Sequence, residues 1–259
     1  MRLDHIAGLL LDMDGVLGVS WQPLPGAAEA VRRLHAALPV RLLTNTTAYP
    51  QRKFGAVLRE AGFPFADEEI LTASVLAARW LLAERPGARV HLIGDAQAED
   101  LAGVELVGSD EAPDVVLVSG ADESFCFETF NTVLRLLRGG AELVAMHRNL
   151  FWVTRRGERL DAGAYLLGLE AATGLEAVVL GKPAAGAFRA GLDAMDVAAE
   201  HALMVGDDVE NDVLAAQAVG VTGVLVRTGK FREDQLARAS GTPDLVVNSI
   251  VDVPALLGL

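Results

Sequence analysis

Short apolar runs alternate with amphipathic stretches from one end of the chain to the other. Residues 6–11 predict a buried strand, followed by a loop and a helix over 27–38 with Pro25 and Gly26 at its start. The run 40–43 predicts the next strand, and 51–61 the next helix, closed by Gly62. A helix over 74–83 precedes strands at 89–93, 114–118 and 142–145, and a helix over 127–137, ended by Gly139 and Gly140, separates the last two. Residues 164–172 predict a helix ending at Gly174. The tail repeats the rhythm, with strands at 177–180, 202–205, 223–226 and 245–247 and helices at 185–194 and 211–218. Strands rich in Val and Leu, separated by helices, predict an α/β fold with a doubly wound parallel sheet. No internal repeat, low-complexity segment or Ser/Gly linker interrupts the pattern.

The 259 residues allow one large or two modest domains. A net charge of −13 sets up a field that repels phosphate backbones and anionic lipid, so neither nucleic acid nor a membrane is expected as a partner. Cys126 is the one cysteine and has no internal disulfide partner, which fits a reducing compartment. The N-terminal apolar run is too short for a leader or a membrane span, and runs elsewhere are strand-sized, so the expected location is cytoplasmic.

In an open α/β sheet, ligands gather beyond the carboxyl ends of the strands. The residues that follow the predicted strands are Asp12-Met13-Asp14-Gly15, Thr44-Asn45, Gly181-Lys182-Pro183 and Gly206-Asp207-Asp208. Two carboxylates 4 Å apart repel by roughly 4 kcal/mol at an effective dielectric near 20. Asp12, Asp14, Asp207 and Asp208 therefore need a cation if they converge. All-oxygen ligands suit Mg²⁺, which favours one or two carboxylates together with a substrate phosphate. Lys182 and Thr44 supply donors for a phosphoryl group. One carboxylate of the Asp12/Asp14 pair is placed to act as nucleophile, and the other to protonate the leaving oxygen and then activate water. Simpler roles compete at some positions: Asp207 and Asp208 also stand where they would cap a helix beginning near Val209, and Asp212 falls inside that helix. Lys182 does not belong to a Walker A loop, because Glu176 and Pro183 occupy the positions that would need Gly and Ser or Thr. No G-x-G-x-x-G follows a strand, and the five histidines lack paired-ligand spacing.

Asp12-Met13-Asp14-Gly15-Val16-Leu17 resembles motif I of the haloacid dehalogenase (HAD) superfamily. Thr44-Asn45, Lys182-Pro183 and Gly206-Asp207-Asp208 with Asp212 resemble motifs II, III and IV, in the same order. The long insert between Thr44 and Lys182 is similar to the α/β cap of subfamily IIA, as are Pro25-Gly26-Ala27, Ile93-Gly94-Asp95, Gly120-Ala121-Asp122 and Asp161-Ala162-Gly163-Ala164. Thr44-Asn45-Thr46-Thr47 and Thr228-Gly229-Lys230-Phe231 carry a closer resemblance to the group that contains a phospholysine phosphohistidine inorganic pyrophosphate phosphatase.

The resemblance implies a Rossmann-like core over 1–79 and 181–259, with a C2-type α/β cap inserted over 80–180. It implies Mg²⁺-dependent hydrolysis of a small phosphorylated metabolite through an aspartyl-phosphate. Asp12 would be the nucleophile and Asp14 the general acid/base. Asp12, the Asp14 backbone carbonyl and Asp207 would hold Mg²⁺, with Asp208 and Asp212 supporting the metal shell. Thr44, Asn45 and Lys182 would hold the phosphate. Met146-His147-Arg148-Asn149 stands where relatives commonly carry Thr-Asn-x-Asp, and His147, Arg148 and Asn149 are candidates for substrate selection. A cap that closes over Asp12 favours small phosphates over phosphoproteins, and some relatives dimerise through it, so a homodimer is an expectation as well. Two alternatives stay open: a phosphotransferase sharing the site, and a phosphate-binding regulatory protein without turnover.

Overall fold

Leu9, Leu10 and Leu11 are fully shielded from solvent. The strand Gly8–Leu11 that carries them has a parallel neighbour on each side, which covers both edges of a continuous apolar run. In the computed structural model, which describes residues 3–19, 21–154 and 157–259, this strand sits inside a six-stranded sheet. Its order is Leu245–Val247, Thr222–Val226, Ala202–Gly206, Gly8–Leu11, Val40–Thr44 and Ile70–Thr72. The chain leaves Gly8–Leu11 toward Val40–Thr44 on one side and returns to Ala202–Gly206 on the other. The strand order therefore switches at Gly8–Leu11, and such a switch opens a crevice at the carboxyl ends of the strands beside it.

The chain divides into two compact units. The first comprises Met1–Thr44, Arg52–Leu71 and Lys182–Leu259, and contains the six-stranded sheet apart from Thr72 at its edge. The second comprises Asn45–Gln51 and Thr72–Gly181. Its own parallel sheet runs Val178–Val179, Glu142–Ala145, Val115–Val118, Arg89–Ile93, Glu105–Leu106. Ala73, Ala77 and Leu81 of the helix Ala73–Glu84 pack on one apolar cluster of this unit. Val133 and Leu137 of Phe127–Arg138, with Leu166 and Leu169 of Ala162–Thr173, pack on another. Each unit is an α/β assembly on a parallel sheet, so the expected parallel sheet is present twice.

Gly62 and Gly174 close their helices with φ of 89° and 75°, the left-handed geometry for which glycine is suited. The helix expected over 211–218 departs from expectation. It opens as a wider π-type turn over Val209–Leu214, and only Ala215–Gln217 is regular α-helix. Wide turns of this kind often mark functional positions, and this one carries Asp212. Two antiparallel pairs were absent from the apolar pattern: Gly18–Val19 with Gln22–Pro23, and Phe151–Thr154 with Gly157–Leu160. Ser20, at the tip of the first pair, lies outside the described residues. Among the described residues, no helix is long and apolar enough to cross a membrane.

Candidate active site

Asp12 is the first residue after the strand Gly8–Leu11, and Asp207 the first after Ala202–Gly206. Those two strands flank the switch in strand order, and the Asp12 backbone N–H donates to the Val205 carbonyl at 2.9 Å. Both carboxylates are therefore carried to the crevice by buried, hydrogen-bonded backbone. Thr44 ends the neighbouring strand and is also buried. Lys182, whose peptide bond to Pro183 is cis, is buried with its Nζ 2.5 Å from Asp12 Oδ1 and 2.7 Å from Asp212 Oδ1. One ammonium thus bridges two carboxylates from different strand ends.

Asp12, Asp207 and Asp212 each offer a carboxylate oxygen within 4.8 Å of the others. Asp207 Oδ2 accepts the Lys230 backbone N–H at 2.6 Å, whereas Asp207 Oδ1 is buried and accepts no hydrogen bond among the described residues. A buried, unsatisfied anionic oxygen is costly, and this one stands in a set of oxygen donors suited to a hard divalent cation. The residues present therefore fit a Mg²⁺-type ion.

Asp208 has a different place. Its Oδ1 accepts the backbone N–H groups of Glu210 at 3.2 Å and Asn211 at 3.0 Å, and its Oδ2 accepts from Asn211 Nδ2 at 2.9 Å. It caps the π-type turn. Asp212 Oδ2, in turn, accepts the Asp208 N–H at 3.2 Å. The turn thus returns Asp212 to the strand end, where its Cβ would lie 2.2 Å from any Cβ placed at Gly206.

A second wall comes from the segment after Thr222–Val226. Thr228 Oγ1 donates to the Gly15 carbonyl. Gly15 and Gly229 face each other with φ of 82° and 61°, and a Cβ at either would fall 1.9 or 2.0 Å from Asp207 Oδ2. Only glycine at both positions lets the two loops meet over that carboxylate. Lys230 follows with an exposed side chain. Its place after a strand end is the signal in the sequence that points to it.

Burial raises the pKa of Asp207 well above the ordinary carboxylate value, and the charges of Asp12 and Asp212 add to that rise while Lys230 opposes it. Burial also pushes Asp212 up to about 6, against the pull of Lys182. For Lys182, burial disfavours the ammonium, but Asp12 and Asp212 outweigh it and hold the pKa above its usual value. Asp14 remains solvent-accessible, yet the density of protein around it raises its pKa, with Lys230 and then Lys182 pulling the other way. The arrangement can hold a cation, present a carboxylate to an electrophile, and retain a proton on a neighbouring acid.

The remaining candidates belong to the second unit. Asn45, next to Thr44 in the chain, donates weakly to Asn149 Oδ1 at 3.5 Å. His147 is buried, with Nε2 4.0 Å from Asp161 Oδ1, and its Nδ1 accepts the Asn149 N–H at 3.3 Å. Arg148 is paired with Glu170 at 2.5 Å. Thr47 Oγ1 donates to Asp95 Oδ1 at 2.6 Å, a part-buried polar contact within this unit.

The fold and the strand-end carboxylates with their lysine define an α/β protein with a buried acidic centre beyond its strand ends. Residues 9–105 match the family model described as haloacid dehalogenase-like hydrolase, and residues 179–253 match a HAD-hydrolase-like model. The chain is 36% identical over 245 residues to the haloacid dehalogenase-like hydrolase domain-containing protein 2 of Rattus norvegicus, covering 94% of this chain and 93% of that one. It is 33% identical over 264 residues to the phospholysine phosphohistidine inorganic pyrophosphate phosphatase of the same organism, covering 99% and 96%. Among solved structures, a p-nitrophenyl phosphatase from Archaeoglobus fulgidus superimposes with a TM-score of 0.90 at 31% identity, covering 96% of this chain and 98% of that one. The chain belongs to the haloacid dehalogenase-like hydrolase family.

Proposed function

We propose that this chain is a Mg²⁺-dependent phosphatase that hydrolyses a small phosphorylated metabolite through an aspartyl-phosphate on Asp12. The scissile bond would be that of a phosphomonoester, a phosphoramidate or a pyrophosphate. The observation that carries this reading is the meeting of Asp12, Asp207 and Asp212 with Lys182, where one buried Asp207 oxygen accepts no hydrogen bond. The activities for which the similar phosphatases are named agree with it.

Asp12 would attack phosphorus while Asp14 protonates the leaving oxygen or nitrogen. Asp14, then a carboxylate, would take a proton from the water that attacks the phosphoryl group and releases Asp12. A raised pKa suits Asp14 to the first of these tasks. Lys182, Thr44 and the Asn45 amide would hold the phosphoryl oxygens, so that geometry and charge supply most of the rate enhancement. Asp12, Asp207 and the Asp14 backbone carbonyl would hold Mg²⁺, supported by Asp212. When bound, the ion supplies positive charge that offsets both the carboxylates and the phosphoryl oxygens. Asp208 would act by fixing the loop that carries Asp207. We read the second unit as a substrate-selecting cap, with His147, Arg148 and Asn149 among its selecting residues. The single cysteine suits a cytoplasmic enzyme.

Phosphate release from p-nitrophenyl phosphate, sugar phosphates, nucleotides, pyrophosphate and phospholysine tests the reading. Release that needs Mg²⁺, stops with a chelator and is absent from Asp12→Asn is expected. No release from any of these compounds by folded, Mg²⁺-loaded protein would overturn it.

A further inference from the structure

The turn after Asp12 is hydrogen-bonded to itself. The Met13 carbonyl accepts the N–H groups of Val16 at 3.3 Å, Leu17 at 2.9 Å and Gly18 at 3.4 Å, and the Gly15 N–H donates to the Gly18 carbonyl at 2.7 Å. Buried Met13, Val16 and Leu17 hold its apolar side, and Asp14 is exposed. The soft joint of the turn is Gly15, which has no Cβ to restrict rotation and stands at a φ of 82°. The peptide units on the two sides of that joint are held differently. The Asp14–Gly15 peptide is planar and trans, so the Asp14 carbonyl points away from the Gly18 oxygen that the Gly15 N–H meets. The Gly15–Val16 peptide is held from outside the turn, because its carbonyl accepts from Thr228 Oγ1. Among the described residues, this is the only side-chain hydrogen bond that the backbone of residues 13–18 receives.

Thr228 opens a three-residue clamp. Gly229 meets Gly15 backbone to backbone, and the Lys230 N–H donates to Asp207 Oδ2 at 2.6 Å. One short segment therefore fixes both the turn that carries the Asp14 carbonyl and the Asp207 carboxylate, although these come from different strand ends. We propose that Thr228 is a positioning residue whose hydroxyl fixes this turn and, through it, the direction of the Asp14 carbonyl relative to Asp207, which favours Mg²⁺ over larger cations. The preference among cations rests on the reading that the Asp14 carbonyl and Asp207 hold the metal. Thr228 acts through Gly15 and supplies no ligand of its own. Removing a bond that orients a ligand weakens a metal site by about 10- to 100-fold although every ligand remains. Mg²⁺ requires near-octahedral oxygens, whereas Ca²⁺ accepts longer bonds and irregular geometry, so a loosened carbonyl costs Mg²⁺ the more.

Thr228→Val keeps the shape of the side chain and removes the donor, and Thr228→Ser keeps the donor. Thr228→Ala is a second variant without the donor, should the valine disturb folding. Calorimetric titrations with Mg²⁺ and with Ca²⁺ compare these proteins with wild type. Thr228→Val is expected to lose about tenfold in Mg²⁺ affinity and about threefold or less in Ca²⁺ affinity, with Thr228→Ser within about twofold of wild type for both. Hydrogen exchange in chelator reads the turn without metal. The Gly15 and Gly18 amides should exchange about tenfold faster in Thr228→Val, while those of Gly8–Leu11 keep the wild-type rate. Equal losses for the two ions, no rescue by Ser, or unchanged exchange at Gly15 and Gly18 would overturn the proposal. A wild-type protein that binds neither ion, with exchange at the turn still governed by Thr228, would contradict the Mg²⁺ reading and uphold Thr228 as the residue that fixes the turn.

Discussion

Lys182 Nζ stands 2.7 Å from Asp212 Oδ1 with both side chains almost wholly buried. The pair joins the cis-proline loop after the second unit to the π-type turn after Ala202–Gly206. A buried ion pair of this sort gains little over an apolar pair, but removing one partner leaves an uncompensated charge.

Lys182→Met should therefore cost about 3–5 kcal/mol of unfolding free energy and abolish measurable turnover. Asp212→Asn should cost less, since the Asp12 carboxylate still neutralises Lys182. The Lys182→Met, Asp212→Asn double variant should be more stable than the sum of the two losses predicts. Urea unfolding of the four proteins at one pH checks the coupling.

Asp14, Asp207 and Asp212 all have pKa values raised from the ordinary carboxylate value by burial, Asp212 to about 6. Each binds its proton more tightly folded than unfolded. Stability of the metal-free protein is thus greatest at low pH with respect to these groups, and is lost as pH rises from the ordinary carboxylate value through their folded values. The melting temperature in chelator should fall between about pH 4 and pH 7, and Mg²⁺ should restore most of it at the upper end. A melting temperature in chelator that rises across this interval contradicts the account of the site's electrostatics.

Asp207 and Asp208 are adjacent and should respond differently. Asp208→Ala removes the cap of the Val209–Leu214 turn, and should cost about 1 kcal/mol while Mg²⁺ binding survives. Asp207→Asn removes the carboxylate whose Oδ1 accepts no hydrogen bond. It should bind Mg²⁺ at least tenfold more weakly, yet melt at or above the wild-type temperature in chelator near neutral pH. Calorimetric Mg²⁺ titration beside thermal melts separates the two.

Gly229→Ala would place a methyl group 2.0 Å from Asp207 Oδ2 on a backbone with φ of 61°. The fold need not fail, because the segment is at the surface, but Asp207 must move. Loss of Mg²⁺ affinity with a nearly unchanged circular dichroism spectrum is the expected outcome; unaltered Mg²⁺ affinity would mean that the clamp does not position Asp207.

Much of this was legible in the sequence, for physical reasons that differ by residue. Leu9 to Leu11 followed by Asp12, and Leu203 to Val205 followed by Asp207, are apolar runs that end abruptly on an acid, and the strands Arg89–Ile93 and Glu142–Ala145 fall where the runs placed them. The hairpin Phe151–Thr154 with Gly157–Leu160 left no such trace, since Phe151, Trp152 and Leu160 are exposed and carry no alternation between inside and outside. The π-type turn at Val209–Leu214 reads locally as a plain helix; its widening accompanies the tertiary pairing of Asp212 with Lys182. Lys230 was legible only from its place after the strand Thr222–Val226, because the carboxylates that act on it come from other strand ends.

The central claim is that Asp12 takes the phosphoryl group. Turnover of p-nitrophenyl phosphate quenched in the steady state, followed by borohydride reduction and peptide mass spectrometry, tests it most directly. An acyl phosphate at Asp12 would be reduced to homoserine at that position, in wild type with Mg²⁺ and not in chelator. Rapid turnover with Asp12 unmodified, together with an active Asp12→Asn variant, would show that hydrolysis proceeds without it.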